Sequence, residues 1–278
     1  MAARAALLVL DDDSAAERAY AAAARAVVGL AAEGRGGALV PLGSGTVWAA
    51  VDADDDGGAA GAEYKDVYVV ATYRQVAGVA RADARESGGL PSVRVFVQQG
   101  ADPDASDSDA VGPYAAAVLG LDPTRDLAVL RARVPRSCPA APLPLAATEA
   151  LKRGQAVFLL GRAGAASPPS PSPAAATLAS GVVSALNRSA PAPSGARLYS
   201  AVQTDAKVGV ANVGGPLVDS SGALVGVAVC PTFSFGGGGG APSVQPSANA
   251  GISFALPARV LLEAVPNLAV YGTASGRV

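Results

Sequence analysis

Acid–base and nucleophilic catalysis at neutral pH draws on histidine, cysteine, activated serine, lysine and carboxylates. This chain of 278 residues contains no histidine. That one observation excludes Ser-His-Asp and Cys-His catalysis and most zinc sites. Two cysteines are present, Cys138 and Cys230. Their spacing leaves bonded and free states open, with two small buried residues the simpler reading. Carboxylates gather at Asp102, Asp104, Asp107 and Asp109, which could suggest a calcium loop. The run lacks the central glycine and distal glutamate of an EF-hand, so a solvated acidic loop is expected. No metal and no cofactor is expected.

One stretch concentrates the residues that a closely approached backbone needs. From Val202 to Ala228 the sequence reads as strand, loop, strand, turn, strand, and its loop from Val208 to Gly215 is built of small residues. Glycine and alanine there suit a backbone that bends back on itself or meets another group closely. Asp219-Ser-Ser-Gly222 between two apolar runs is a hairpin signal.

The elements that must carry this loop are mostly strands. Residues 66–72, 93–98, 115–119, 127–131, 155–160, 178–186 and 251–256 are rich in β-branched and apolar residues with turn signals between them. Residues 38–42 and 45–50 read as two short runs around a kink at Gly43-Ser-Gly45. Ser14-Ala-Ala-Glu17 has the capping-box spacing and opens an alanine-rich helix. The run Ala26 to Leu30 then passes into a first strand. Residues 133–145 carry four prolines and predict an extended connector. Pro257 is placed to start a closing helix that reaches about Val265.

About a dozen short strands with helices only at the ends predict an all-β fold, as barrels or a sandwich. Half the residues are apolar, 16% are charged and the net charge is −2. That composition buries a core and carries no electrostatic footprint for nucleic acid. No apolar run is long enough to cross a bilayer. Ala5 to Leu10 is apolar, but Asp11-Asp-Asp13 follows at once, unlike a targeting peptide.

Seven motifs in order resemble the Deg/HtrA family of trypsin-like serine proteases. Gly43-Ser-Gly-Thr-Val-Trp48 is similar to its G-S-G-x-V-W strand, and Tyr68 to Val76 to its I-V-T-N-Y-H-V segment. Asp122-Pro-Thr-Arg-Asp-Leu-Ala-Val-Leu130 resembles D-x-x-x-D-L-A-V-L. Gly154 to Gly161, Ala179 to Arg188 and Gly251 to Pro257 follow in the family's order, around the stretch from Val202 that resembles its nucleophile loop. The resemblance covers about residues 15–270 and is strongest to chloroplast members without a PDZ domain. It implies a double β-barrel, with an N-terminal helical segment over 1–30, a first barrel over 31–135, a connector over 136–150 and a second barrel with the closing helix over 151–278. It also implies an oligomer, since such proteins trimerise through the first barrel and form homo- and hetero-oligomers in chloroplasts.

Carried over position by position, the family's histidine falls on Arg74, or on Gln75 with a one-residue slip; its aspartate falls on Asp126 and its serine on Val213. Arginine stays protonated, an amide does not titrate and valine has no nucleophilic atom. In subtilisin, loss of the serine or the histidine costs on the order of 10⁶ in turnover. The oxyanion loop is altered too: Ala211 stands for a glycine, beside Asn212 and Val213, and Gly209 stands for the activation-linked asparagine. The family's N-P-F-G loop has become Arg162-Ala-Gly164 and a proline-rich insert.

The expected protein is therefore a protease fold without protease chemistry, a structural or interaction subunit partnered by other proteins, such as active paralogues or a larger complex. Two other readings compete with it. A peptide-binding module would keep the old groove open for strand addition. Residual activity would need a serine beside Lys65, Lys152 or Lys207. An Arg74–Asp126 salt bridge in place of the histidine–aspartate pair competes evenly with an Arg74 turned to solvent and an Asp126 bonded to backbone N–H groups. The resemblance points to the chloroplast, with the thylakoid lumen as a finer choice; the missing transit-like sequence points to the cytosol instead.

Overall fold

The structure is a computed structural model and describes residues 15–33, 39–52, 63–77, 79, 93–98, 110–162, 176–192, 196–209, 212–229 and 252–272. A helix α1 over residues 15–23 runs through a 3-10 turn, Ala24–Ala26, directly into β1, Val27–Glu33. Strands β2 (Leu39–Asp52), β3 (Tyr64–Ala71), β4 (Val93–Gln98), β5 (Ala110–Asp122) and β6 (Leu127–Pro135) follow, with a short helix α2 over residues 73–77 after β3. They close an antiparallel barrel in the order β1-β2-β3-β6-β5-β4. Strands β7 (Ala156–Gly161), β8 (Thr177–Pro191), β9 (Arg197–Thr204), β10 (Pro216–Asp219), β11 (Leu224–Val229) and β12 (Ser253–Pro257) close a second barrel, β10-β11-β12-β9-β8-β7. Helix α3, Ala258–Tyr271, packs on both barrels. The predicted double barrel with helices at both ends is what the chain forms.

Alternation along the strands explains how both faces are used. In β3, Val67, Val69 and Ala71 fill the first barrel, while Val70 between them points the other way. In β6, Ala128, Leu130, Ala132 and Val134 fill the same barrel, and Leu127 and Val129 turn outward. The two-residue period of a strand puts these sets on opposite faces. The outward set meets Val227, Val229 and Leu256 of the second barrel and Leu261, Val265 and Leu268 of α3 in one buried cluster. This shared cluster fixes the two barrels against each other. Along that seam the site is built.

Two expectations are corrected in detail, and a third is met. The run Ala26 to Leu30 passes into strand at Val27 as read, because Val27, Val28 and Leu30 are buried in pairing with β2 and β4. The two runs around Gly43 form a single 14-residue strand. Gly43 sits at φ 125, and opposite it the register jumps between Leu30 and Ala31. A bulge of this kind bends a strand without ending it, so β2 pairs β1 with its first half and β3 with its second. Finally, α3 continues through Pro266 to Tyr271 and stops at Gly272, φ 71, whose N–H caps Leu268 O. Residues 101–109 and 165–175, read above as acidic loop and proline-rich insert, lie outside the described residues. Cys138 is a buried free thiol, and Cys230 is outside the described residues. Among the described residues no helix is long and apolar enough to cross a membrane.

Candidate functional site

Short side chains on β2 form one wall of the site. Ser44 and Thr46 lie two apart on that strand, so both face the second barrel, and both are fully buried. Buried hydroxyls need partners, and these find theirs across the seam. The Thr46 hydroxyl donates to Gly214 O at 2.9 Å, and Ser44 Oγ accepts the Arg162 N–H at 2.7 Å. The Ser44 N–H donates to Val213 O at 3.1 Å.

Glycine brings the facing loop this close. Gly214 has φ 83, and a Cβ there would stand 2.1 Å from Ser44 O. A Cβ on Gly215 would stand 2.1 Å from Leu160 O. The loop from Asn212 to Gly215 is thus clamped between β2 and β7, and a side chain at either glycine would push it out. Asn212 is tied inside its own turn: its N–H donates to Gly209 O at 3.0 Å and its carbonyl accepts from Gly215 N–H at 2.9 Å. Val213 is 6% exposed. Ala211, the other residue assigned to the old oxyanion loop, lies outside the described residues.

Helix α2 supplies the next part. Its Gln75 side chain donates through Nε2 to Val213 O at 2.8 Å and to Leu42 O and Ser44 O at 3.3 Å each. Its Oε1 accepts from the Thr72 N–H at 3.0 Å and the Thr72 hydroxyl at 3.1 Å. A single amide therefore joins β2, the end of β3 and the Val213 loop, which suits the donor and acceptor halves of that group. The sequence reading considered this residue only as a slipped alignment and missed this role.

Arg74 and Asp126 do come together, through the backbone N–H contact that competed evenly with the ion pair. Asp126 Oδ1 accepts the backbone N–H of Arg74 at 3.1 Å, and Asp126 Oδ2 is buried with no hydrogen-bond partner among the described residues. No Arg74–Asp126 ion pair is present among the described residues. The physical reason is the start of α2, which aims the free Arg74 N–H at the carboxyl while the half-buried Arg74 side chain makes no ion pair with it. Asp126 is 1% exposed and held at φ 54. Burial pushes its carboxyl up to about 7, a rise only partly offset by the Arg74 N–H and the nearby Arg74 charge.

The turn before it is held by the other aspartate of the motif. Asp122 is 3% exposed and accepts bonds from the Thr124 N–H, the Thr124 hydroxyl and the Arg125 N–H. Arg125 Nη1 pairs with Asp122 Oδ2 at 2.9 Å. Burial alone raises this carboxyl, but its bonds to Thr124 and Arg125 outweigh that and hold it below the usual range. Two carboxylates four residues apart thus have opposite environments. Of the lysines weighed as bases, Lys65 Nζ donates to Ala140 O at 3.0 Å, and Lys152 and Lys207 are exposed. Among the described residues no cluster of His, Cys, Asp and Glu could hold a metal ion.

Comparison with known proteins places this geometry. The family model described as trypsin-like peptidase domain matches residues 43–227. The chain is similar to Protease Do-like 5, chloroplastic, of Arabidopsis thaliana, at 38% identity over 157 residues, which is 56% of this chain and 43% of that protein. It is also similar to Protease Do-like 1, chloroplastic, of the same organism, at 37% identity over 41% of this chain and 24% of that protein. The matched stretches thus span less than half the length of these relatives. Among solved structures, the one described as the crystal structure of Deg5 superposes with a TM-score of 0.63 and 26% identity, covering 94% of this chain and 97% of that one.

Proposed function

The chain belongs to the trypsin-like peptidase family, in its Deg/HtrA branch, and we propose that it is a member without protease chemistry that serves as a structural or interaction subunit of a protein assembly. The observation that carries this reading is the state of the three triad positions. Val213 offers no nucleophile, and its carbonyl is tied to Ser44 and Gln75. Arg74 offers no base, and with no histidine in the sequence none comes from elsewhere. Asp126 binds a backbone N–H in place of an imidazole. A serine protease needs a positioned nucleophile and a base that titrates near neutrality.

The same contacts weigh against an open peptide groove beside Val213, because the residue is buried and its loop is clamped between β2 and β7. What this fold offers a partner is its outer surface. Related proteins named as chloroplastic support a chloroplast location, and the thylakoid lumen is the finer proposal within it. Affinity isolation of the tagged full chain under mild conditions tests the role. A subunit co-isolates with other proteins, or with further copies of itself, in fixed ratio and without degrading them. A chain recovered alone, as a monomer, contradicts the proposal.

A further inference from the structure

Only one oxygen of the Asp126 carboxyl is bonded. Oδ1 accepts the Arg74 N–H at 3.1 Å, while Oδ2 is buried with no hydrogen-bond partner among the described residues. A buried oxygen without a partner carries a desolvation cost, and here a strained backbone adds to it. Asp126 stands at φ 54, in the left-handed region that residues other than glycine seldom adopt. Its turn is held by other bonds. Asp122 accepts from the N–H and hydroxyl of Thr124 and from the N–H and guanidinium of Arg125, so the charges of Asp122 and Arg125 are spent on each other.

The start of α2 is fixed too, and by its own residues. Thr72 and Gln75 form a capping box: the Gln75 N–H donates to the Thr72 hydroxyl at 3.4 Å, and the Thr72 N–H donates to Gln75 Oε1 at 3.0 Å. With the backbone held on both sides, the Arg74 side chain is what can rearrange. It is half-buried and makes no ion pair among the described residues. Its residue already touches the carboxyl through the N–H, and among the described residues Arg74 is the one charged group whose field acts on Asp126. Tyr73 beside it on α2, Arg162 at the end of β7, and Asp122 and Arg125 on the turn contribute nothing to that balance. Ser44, Thr46, Thr72 and Gln75 carry no charge.

We propose that Asp126 and Arg74 form a proton-operated latch: with the carboxyl protonated the guanidinium stays outside, as in the structure, and loss of the proton to solvent draws it onto Oδ2. Deprotonation turns a neutral oxygen into half of a buried anion, which a guanidinium fork stabilises strongly. A neutral carboxyl offers the fork little in exchange for its hydration. Burial pushes the carboxyl up to about 7, so the latch works around neutral pH. Closing removes one positive charge from the surface at α2 and limits the stability lost above that pH. This goes beyond the role proposed above and holds whether or not the chain joins an assembly.

Thermal midpoints of full-length wild type, R74A, R74K, D126N and R74A/D126N at about pH 5.5 and about pH 8.5, at one ionic strength, test the latch. At the lower pH, R74A should match wild type within about 1 °C. At the higher pH it should melt about 3 °C lower or more, and R74K should recover part of the difference, because an ammonium keeps the charge without the fork. On the D126N background R74A should be neutral at both pH values, since no charge is left to pair. Wild type alone gives a second reading by nuclear magnetic resonance. Exchange of a guanidinium N–H with water is base-catalysed, yet the Arg74 Nε–H should exchange more slowly at the higher pH. An R74A effect that is absent at both pH values, equal at both, or undiminished with D126N overturns the proposal, as does Arg74 Nε–H exchange that simply accelerates with pH.

Discussion

Asp126→Asn isolates the electrostatics of the site, because the amide keeps the Oδ1 acceptor for the Arg74 N–H and removes the charge. Burial raises the Asp126 carboxyl from the ordinary 3.8 to about 7. The folded chain therefore holds this proton more tightly than the unfolded chain. Stability from the group is complete below the unfolded pKa and is lost as pH rises toward the folded value. A rise of roughly three pH units corresponds to about 4 kcal/mol in total, at ~1.4 kcal/mol per unit. Between about pH 5 and pH 8 the folded protein loses about 3 kcal/mol of it, since roughly two of the three units lie in that window. Asparagine does not titrate, so the variant escapes this loss. Urea denaturation of wild type and variant at both pH values, at one ionic strength, gives the comparison. The stability of D126N relative to wild type should improve by about 3 kcal/mol from about pH 5 to pH 8. A difference that stays constant, or moves the other way, refutes the argument that Asp126 is a poorly compensated buried acid.

The seam makes three further predictions. Gln75→Ala removes the amide that joins Thr72, Leu42, Ser44 and Val213, and should cost about 1–3 kcal/mol by leaving buried groups short of partners, read by thermal unfolding; an unchanged midpoint argues that the amide is dispensable. Gly214→Ala places a Cβ against Ser44 O at φ 83 and should cost more, on the order of 3 kcal/mol or above, with lowered soluble yield. Val213→Ser restores the hydroxyl in a buried position and should destabilise by about 1–2 kcal/mol without conferring proteolysis, since no histidine accompanies it; casein hydrolysis by this single variant would show a base that the geometry does not supply.

The strands were legible wherever two-residue alternation met β-branched residues, and β3, β4 and β6 lie close to where the sequence puts them. The bend of β2 was not, because Gly43 punctuates a sequence in the same way whether the chain turns or merely bulges. Only pairing with β1 distinguishes the two. Pro266 hides the last turn of α3 similarly: it sits on an exposed side of the helix, and packing of Leu268 on the barrels carries the helix past it.

At the site, the positions were legible and the bonds were not. Arg74, Asp126 and Val213 converge on the seam, but residue types alone left an ion pair and a backbone N–H bond equally open, and the N–H is what reaches the carboxyl. Gln75 shows the same limit, since nothing in its type distinguishes a surface amide from one bonded to three carbonyls. The alternation of Ser44 and Thr46 with glycines in a buried strand was the available clue. Small polar side chains two apart, amid apolar neighbours, imply partners across an interface.

The central claim is that this fold is kept without its chemistry, and reaction with a fluorophosphonate probe tests it most directly. Pure full-length protein incubated with the probe and analysed by intact mass should show no adduct, beside an active Deg-type protease labelled under the same conditions. One stoichiometric adduct, mapped to a single serine, would contradict the account.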